Sequence, residues 1–343
     1  MSTKRPGIKD VAQLAGVSSA TVSYVMNHAK PVADATRKRV EDAMKELGYR
    51  PNLLARGLKT QKTGMIGVVI PDLYSSYFSR LLTQVEDTLY QAGLQMLLCN
   101  SKEMVEREES FLATMAQQIE GLLIAPAKPA TCRMFVDWDV QQCPIVFIDR
   151  KPSPINLAPY VTSNNEQAGA DVFYHLHERY KQLALLSPYP ARGAIQERVA
   201  GFMSAAIKHG VKPIISFHND EIGRNAGRLQ MERILRRVAG PIGVFCTTNA
   251  ATIGCVSLLA SEGVKIGDDV GVVGYDDTDW MLLTQPRISS VRTDPELIGR
   301  RAAKAMLDQM SGQTGIESVE VAAQLIVRES SLTLGEPSGG DDR

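Results

Sequence analysis

This chain is poor in the residues that covalently stapled or metal-built domains depend on. Five cysteines (99, 132, 143, 246 and 255) stand among 343 residues, with neither CxxC pairing nor metal-ligand spacing. Most lie in apolar runs such as Leu97-Leu98-Cys99 and Val244-Phe245-Cys246. Buried, reduced thiols are therefore expected, without disulfides or a bound metal. Aromatic residues make up only 6% of the chain, which does not suggest a lectin-like or stacking surface. No apolar run reaches the length of a membrane span and no signal-peptide pattern is present, so a cytoplasmic protein is expected. The glycine- and serine-centred signatures of cofactor, nucleotide and acyl-transfer sites are missing as well: no G-x-G-x-x-G after the first strand-like run, no Walker A, no G-x-S-x-G. His175 and His177 lie two apart on a helical stretch and so diverge, which makes them packing or surface residues and not a catalytic pair. Neither an enzyme nor a cofactor is expected.

Net charge is also absent, since 38 Lys/Arg balance 38 Asp/Glu, but the balance conceals an asymmetry. Residues 1–62 carry twelve basic and five acidic side chains, while the remainder carries 26 basic and 33 acidic. A basic head on an acidic body points to a polyanion at the head. Within that head, Ile8, Val11, Ala12 and Ala15 recur at helical spacing. Gly16 suits a turn, Ser18 is placed to cap a second helix, and Val22, Val25 and Met26 face inward from it. A third helix, about Asp34 to Leu47, offers Val40, Ala43, Met44 and Leu47, and Gly48 ends it. Ala33 lacks the hydroxyl of a cap, a role Asp34 is expected to take one residue later. Two short helices meeting at Gly-Val-Ser, the second opening on small and hydroxyl residues, form a helix-turn-helix suited to a DNA major groove.

Pro51–Lys59 is too short to be a stable helix alone. From Met65 apolar strand-like runs (Met65–Ile70, Leu94–Leu98, Gly121–Ile124, Ile145–Ile148, Leu183–Leu186, Ile214–Phe217, Ile242–Cys246, Val270–Gly274) alternate with helical patterns. Their number suits two doubly wound α/β lobes with parallel sheets, broken near Pro152–Pro159. A helix at 295–310 and strands near 319–327 return to complete the lobes. Ligands in such folds bind at the carboxyl ends of the strands, here in a cleft between lobes. The tail 336–343 is expected to be disordered.

The chain resembles the lactose-repressor/galactose-repressor (LacI/GalR) family of bacterial transcription factors over residues 8 to about 331. The resemblance rests on Asp10-Val11-Ala12 with Ala15-Gly16-Val17-Ser18, on Thr21-Val22-Ser23 and Asn27, and on Leu47-Gly48-Tyr49-Arg50-Pro51-Asn52. It continues through Ala55-Arg56 with Leu58, Ile66-Gly67 before Pro71-Asp72, and Val273-Gly274-Tyr275-Asp276-Asp277 ahead of Ser290-Val291-Arg292. It implies a helix-turn-helix domain (1–50), a hinge helix and linker (51–63), and a core of the periplasmic-binding-protein type (64–335). Lobe 1 is expected at about 64–162 and 294–322, lobe 2 at about 163–293 and 323–335. It further implies a homodimer on a pseudo-palindromic operator in double-stranded DNA, with a small-molecule effector in the cleft altering operator affinity, no metal and no membrane. Lacking a terminal leucine heptad, the chain is expected as a dimer and not a dimer of dimers.

By the same resemblance Ser19, Ala20 and Tyr24 face base edges, Ala20 against a thymine methyl. Tyr24 stands where relatives often carry an arginine, so either the operator half-site differs or Tyr24 lies along a phosphate. Ser18, Thr21, Ser23 and Asn27 match phosphate contacts. Asn52, Ala55, Leu58 and Lys59 match the hinge, with Leu58 as a minor-groove wedge that orders on DNA. Asp149, Arg192, Arg198, Asn249 and Asp276 match the effector cleft. Ala250 replaces a common acid, and Ile222 replaces an aromatic platform that Tyr74, Tyr77, Phe78 or Trp280 is left to supply. Two arginines and one fewer acid lean toward an anionic ligand such as a sugar acid or sugar phosphate, beside sugar and nucleobase alternatives. A solute-binding protein shares the core fold but not the DNA-binding head.

Overall fold

The computed structural model describes residues 6–27, 30–49, 63–128, 135, 143–189, 193–219 and 223–332. Asn52, Ala55, Leu58 and Lys59, Arg192 and the 336–343 tail lie outside the described residues, as does the side chain of Asn27. The chain divides into two units, Met1–Gly64 and Met65–Arg343.

The first unit holds α1 (Ile8–Ala15), α2 (Ser19–Asn27) and α3 (Asp34–Glu46). Val11, Ala12, Ala15, Val22, Val25, Val40 and Ala43 share one buried core. Gly16 ends α1 at φ 63°, and the Val17 N–H closes the turn onto the Ala12 carbonyl at 3.0 Å, a left-handed cap that glycine adopts at little cost. Ser18 caps α2 as its spacing predicts, its Oγ accepting from the Thr21 backbone N–H at 3.1 Å. The cap of α3 is Ala33, without a side-chain bond. Asp34 is instead the first helical residue, where its charge meets the positive end of the helix dipole.

The second unit runs β1 (Met65–Ile70), α4 (Ser76–Gln91), β2 (Gln95–Asn100), α5 (Val105–Met115), β3 (Gly121–Ile124), β4 (Ile145–Ile148) and β5 (Tyr160–Ser163). It continues with α6 (Asn165–His177), β6 (Gln182–Tyr189), α7 (Gly193–Lys208), β7 (Ile214–Asn219), α8 (Arg224–Leu235), β8 (Ile242–Cys246) and α9 (Asn249–Ser261). It ends with β9 (Val270–Tyr275), β10 (Ser289–Arg292), α10 (Pro295–Met310), β11 (Val319–Val321) and β12 (Gln324–Ile326). Two six-stranded sheets result, ordered β11-β5-β4-β3-β1-β2 and β12-β10-β9-β8-β6-β7. All described pairings are parallel except β10 with β12.

The apolar runs are continuous because both faces of each sheet are covered. Val68, Leu123, Val146 and Ile148 pack to one side of the first sheet, under α4 and α10. Val69, Leu122, Ile124 and Phe147 pack to the other, under α5. The second sheet divides likewise between Val244 and Val272 on one face and Leu185, Phe245 and Val273 on the other. Helices α6 and α7 touch backbone to backbone: a Cβ on Gly169 would strike the Arg198 carbonyl, and one on Gly201 would strike that of Glu166. This contact fixes where Arg198 can sit.

Strands β5 and β10 lie outside the apolar runs of the sequence. Tyr160-Val-Thr-Ser163 lies just past the Pro152–Pro159 break yet belongs to the first sheet, and Ser289-Ser-Val-Arg292 belongs to the second. Both are short and polar. They are strands because neighbouring strands supply partners and buried serine hydroxyls find acceptors, as Ser289 Oγ does on the Arg328 carbonyl at 2.9 Å.

Candidate functional site

In the first unit, α2 presents a polar face. Ser18 and Ala20 are exposed, and Ser19, Thr21, Ser23 and Tyr24 are partly so. The Ser18 and Thr21 hydroxyls lie 2.9 Å apart. The Lys30 ammonium stands over the Tyr24 ring, 5.1 Å from its centroid. Such a cation–π contact adds a positive charge beside the tyrosine at the C-terminal end of the helix.

In the second unit a cleft of about 1290 Å³ gathers Tyr77, Phe78, Asp149, Arg198, Asn249 and Asp276, six of the seven expected cleft residues. Only Arg192 lies outside the described residues. A smaller hollow of about 250 Å³ between β7 and α8 holds none of them.

Asp149 and Asp276 follow β4 and β9, strands that occupy the same position in the two sheet orders. Each is held in the left-handed region, at φ 63° and 62°. That conformation is uncommon for a residue with a Cβ and is tolerated best by Asp and Asn. It turns the chain at the strand end where ligand groups are displayed. Burial, and then the nearby Asp149 charge, push the Asp276 carboxyl up against the opposing pull of Arg198. Burial and the same two acids push the Tyr77 phenol well above its usual value.

Arg198 is buried at 7% exposure and held on three sides. Its Nε donates to Asn165 Oδ1 at 3.0 Å, its Nη1 donates to the Thr247 carbonyl at 2.9 Å, and its guanidinium lies 3.5 Å from the Tyr275 ring centroid. Tyr275 donates its hydroxyl to the same Asn165 oxygen at 2.9 Å, and burial raises its phenol to about 12. Asn165 in turn donates to the Ser163 carbonyl at 3.1 Å. Asn165 carries no signal in the sequence, and Tyr275 stands there only as part of the Val273–Asp277 motif. Their partners lie 33 and 110 residues apart, and no local pattern announces such a junction.

Arg150, which has no motif in the sequence, lies beside Asp149. It grips Glu103 through both terminal nitrogens at 2.9 and 2.5 Å and donates to the Pro126 carbonyl at 2.8 Å. Burial alone would lower its affinity for a proton, and the Glu103 bonds more than offset that.

Asn249 opens α9. Its Oδ1 accepts from Trp280 Nε1 at 3.0 Å and from Thr278 at 3.3 Å. Trp280, one of four candidates for a stacking platform, thus braces Asn249 in the cleft wall. Tyr77 and Phe78 are buried, meet edge to face at 5.2 Å, and belong to the first lobe's core. Tyr74, at 96% exposure, stands at the cleft's rim. No group of three or more metal-ligating side chains occurs among the described residues, and no helix among them is long and apolar enough to cross a membrane.

Comparison with known proteins covers both units. A model described as bacterial regulatory proteins, lacI family, matches residues 7–52, and one described as a periplasmic binding protein-like domain matches 173–331. The HTH-type transcriptional repressor PurR of Edwardsiella ictaluri is 28% identical over 327 residues, covering 94% of this chain and 96% of the relative. That of Vibrio parahaemolyticus is 29% identical over 331 residues, covering 94% and 98%. Among solved structures, the lac repressor dimer bound to operator and the anti-inducer ONPF superposes with a TM-score of 0.82 at 25% identity, covering 96% of this chain and all of that one. A complex of the transcriptional regulator CelR with cellobiose gives 0.66 at 26% identity, covering 95% and 100%.

Proposed function

The chain belongs to the LacI/GalR family of bacterial transcriptional regulators, and we propose that it represses transcription as a cytoplasmic homodimer on a pseudo-palindromic operator, with a small polyhydroxylated molecule in its cleft setting the affinity for DNA. The relatives are regulators, and the chain is read as a regulator and not an enzyme. One observation carries the reading. A chain headed by a helix-turn-helix also gathers Asp149, Arg198, Asn249 and Asp276 in a single cleft between two sheets. Residues 1–50 bind DNA in this reading, 51–63 form the hinge, and 64–335 form the effector and dimerisation core.

The ligand class follows from which charges are already matched. Arg150 is paired with Glu103, and the buried acids Asp149 and Asp276 share the cleft with the buried guanidinium of Arg198. Acids and a guanidinium side by side suit a ligand that carries donors and acceptors together. Hydroxyls donate to carboxylates and accept from the guanidinium, so a sugar or related polyol fits better than the sugar acid or sugar phosphate expected from the sequence. A thermal-shift panel of neutral sugars, sugar acids, sugar phosphates and nucleobases is the test, followed by operator binding with and without each hit. Stabilisation by neutral sugars that is lost in Arg198→Ala is expected. A response confined to anions or nucleobases refutes the polyol assignment.

On the DNA side, Ser19, Ala20 and Tyr24 are assigned to base edges and Ser18, Thr21, Ser23 and Asn27 to phosphates, with Asn52, Ala55, Leu58 and Lys59 in the hinge. The Lys30 charge over Tyr24 favours a phosphate-side place for the end of that ring. Selection on random duplexes is expected to enrich different half-sites for the natural chain and for Tyr24→Arg. Identical half-sites remove Tyr24 from the reading of sequence.

A further inference from the structure

Beside the crossing from β5 to α6, a charged cluster joins the two lobes. Lobe 1 supplies Lys151, just past β4, and Glu320 on β11, and lobe 2 supplies Glu197 on α7. The Lys151 ammonium stands 3.0 Å from Glu320 and 3.4 Å from Glu197. Tyr160 on β5 donates its hydroxyl to Glu320 at 3.4 Å. The lysine is therefore seated on lobe 1, while its second acid belongs to lobe 2. Burial raises the Glu197 carboxyl, and the Lys151 charge opposes that rise. Both members of the interlobe pair are only 22% exposed, so solvent screens them incompletely.

Glu197 precedes Arg198, and both side chains reach the same amide. Asn165 Oδ1 accepts from Arg198 and from Tyr275. With two donors on the oxygen, the nitrogen must face acceptors. It finds the Ser163 carbonyl at 3.1 Å and Glu197 Oε2 at 3.4 Å. Because α6 and α7 touch backbone to backbone at Gly169 and Gly201, neither helix shifts without carrying the other. A displacement of Glu197 thus reaches Arg198 through one side chain.

We infer that Lys151 braces the two lobes through Glu197, and that Glu197 is a positioning residue, which holds Asn165 and through it Arg198. One carboxylate serves both ends, so the angle between the lobes and the place of the arginine are tied. Among the described residues lining the cleft, Lys151, Asn165 and Glu197 do not figure. What Arg198 does for a ligand rests on the polyol reading, and the brace does not. Removing the lysine charge leaves Glu197 and Glu320 facing each other across the lobes, so repulsion replaces attraction.

The test uses the full chain without ligand. Spin labels replace Met104 of lobe 1 and Ile207 of lobe 2, both exposed, through a ketone-bearing residue that leaves the cysteines untouched. Labelled chain is diluted with unlabelled chain, so that distances within one chain are read. Lys151→Gln is expected to raise the fraction of long interlobe distances roughly two- to fivefold, the range of a partly exposed ion pair. Lys151→Arg is expected to keep the natural distribution. So is the charge swap of Lys151→Glu with Glu197→Lys, which sets the cation in lobe 2 between two acids of lobe 1. A distribution unmoved by Lys151→Gln, or widened equally by Glu320→Gln, overturns the brace. The second readout is hydrogen exchange at the Arg198 Nε–H, followed by NMR. Glu197→Met cannot accept from Asn165 and is expected to speed that exchange roughly fivefold or more. Glu197→Gln keeps an acceptor and is expected to hold the natural rate while the lobes still open. Exchange in Glu197→Met as slow as in the natural chain overturns the positioning role. Failure of the polyol reading shows elsewhere, as sugars that do not stabilise the chain or do so without Arg198, and leaves both readouts as stated.

Discussion

The two lobes answer the same structural problem with opposite charges. Each places an aspartate in the left-handed region at the end of the matching strand, Asp149 after β4 and Asp276 after β9. Each then anchors that turn through the next residue. In lobe 2 the anchor is an acid. Asp277 accepts from Arg328 at 2.7 and 2.9 Å, from Ser290 at 2.7 Å and from Arg292 at 2.9 Å. Burial would raise that carboxyl, but these bonds outweigh it and hold it below the usual carboxylate range. In lobe 1 the anchor is a base, Arg150 on Glu103. The acid anchor is fully occupied, whereas the base keeps one buried nitrogen, Nε, without a hydrogen-bond partner among the described residues.

The contrast can be broken at either anchor. Asp277→Ala strands Arg328, which is 6% exposed, and is expected to cost about 3–5 kcal/mol in urea unfolding. A loss below 1 kcal/mol would show that Arg328 finds water or another acceptor. Next in size is a pH effect confined to lobe 2. Burial, followed by the Arg179 charge, lowers His175 to about 4, and the ring bonds Ser331 at 2.7 Å. The unfolded chain takes up this proton near pH 6.5 and the folded chain only near 4. Stability is therefore complete above the higher value and falls as pH drops through that window, by roughly 3 kcal/mol. His175→Asn is expected to flatten the slope of stability against pH between those limits, and an unchanged slope assigns the effect to other groups. Glu103→Ala, in lobe 1, is expected to cost about 2 kcal/mol, since Arg150 keeps the Pro126 carbonyl. The smallest effect belongs to Arg80–Glu296, whose arginine is 49% exposed. Arg80→Ala should change stability by less than about 1 kcal/mol, and less again in high salt.

What the sequence made legible follows the same division. Asp149 and Asp276 stand out because each ends an uninterrupted apolar run, and the strand end is where such folds display ligand groups. Arg198 and Asn249 stood out through family resemblance, not through any local pattern. Arg150 was hidden because an arginine after a strand reads as a surface charge until Glu103, 47 residues earlier, is brought against it. The anchors of lobe 2 were hidden for the same reason, as Arg328 reaches Asp277 across 51 residues. Strands β5 and β10 lacked an apolar run altogether. The aromatic residues serve two places at once: Tyr77 and Phe78 line the cleft while packing in the lobe 1 core, and Trp280 lines it with its indole tied to Asn249.

The chain passes from one sheet to the other three times, between β5 and α6, between β10 and α10, and between β11 and β12. Two of these strands are stitched together, the Asn164 N–H to the Val321 carbonyl at 3.0 Å and the Ala323 N–H to Asn164 Oδ1 at 2.7 Å. A single tether would let one lobe spin freely on the other. Three tethers, two of them bonded side by side, act as a strap hinge: they permit the lobes to fold toward each other and resist their turning independently. A molecule that draws Arg198 toward Asp149 is thereby converted into one defined swing of the whole second lobe.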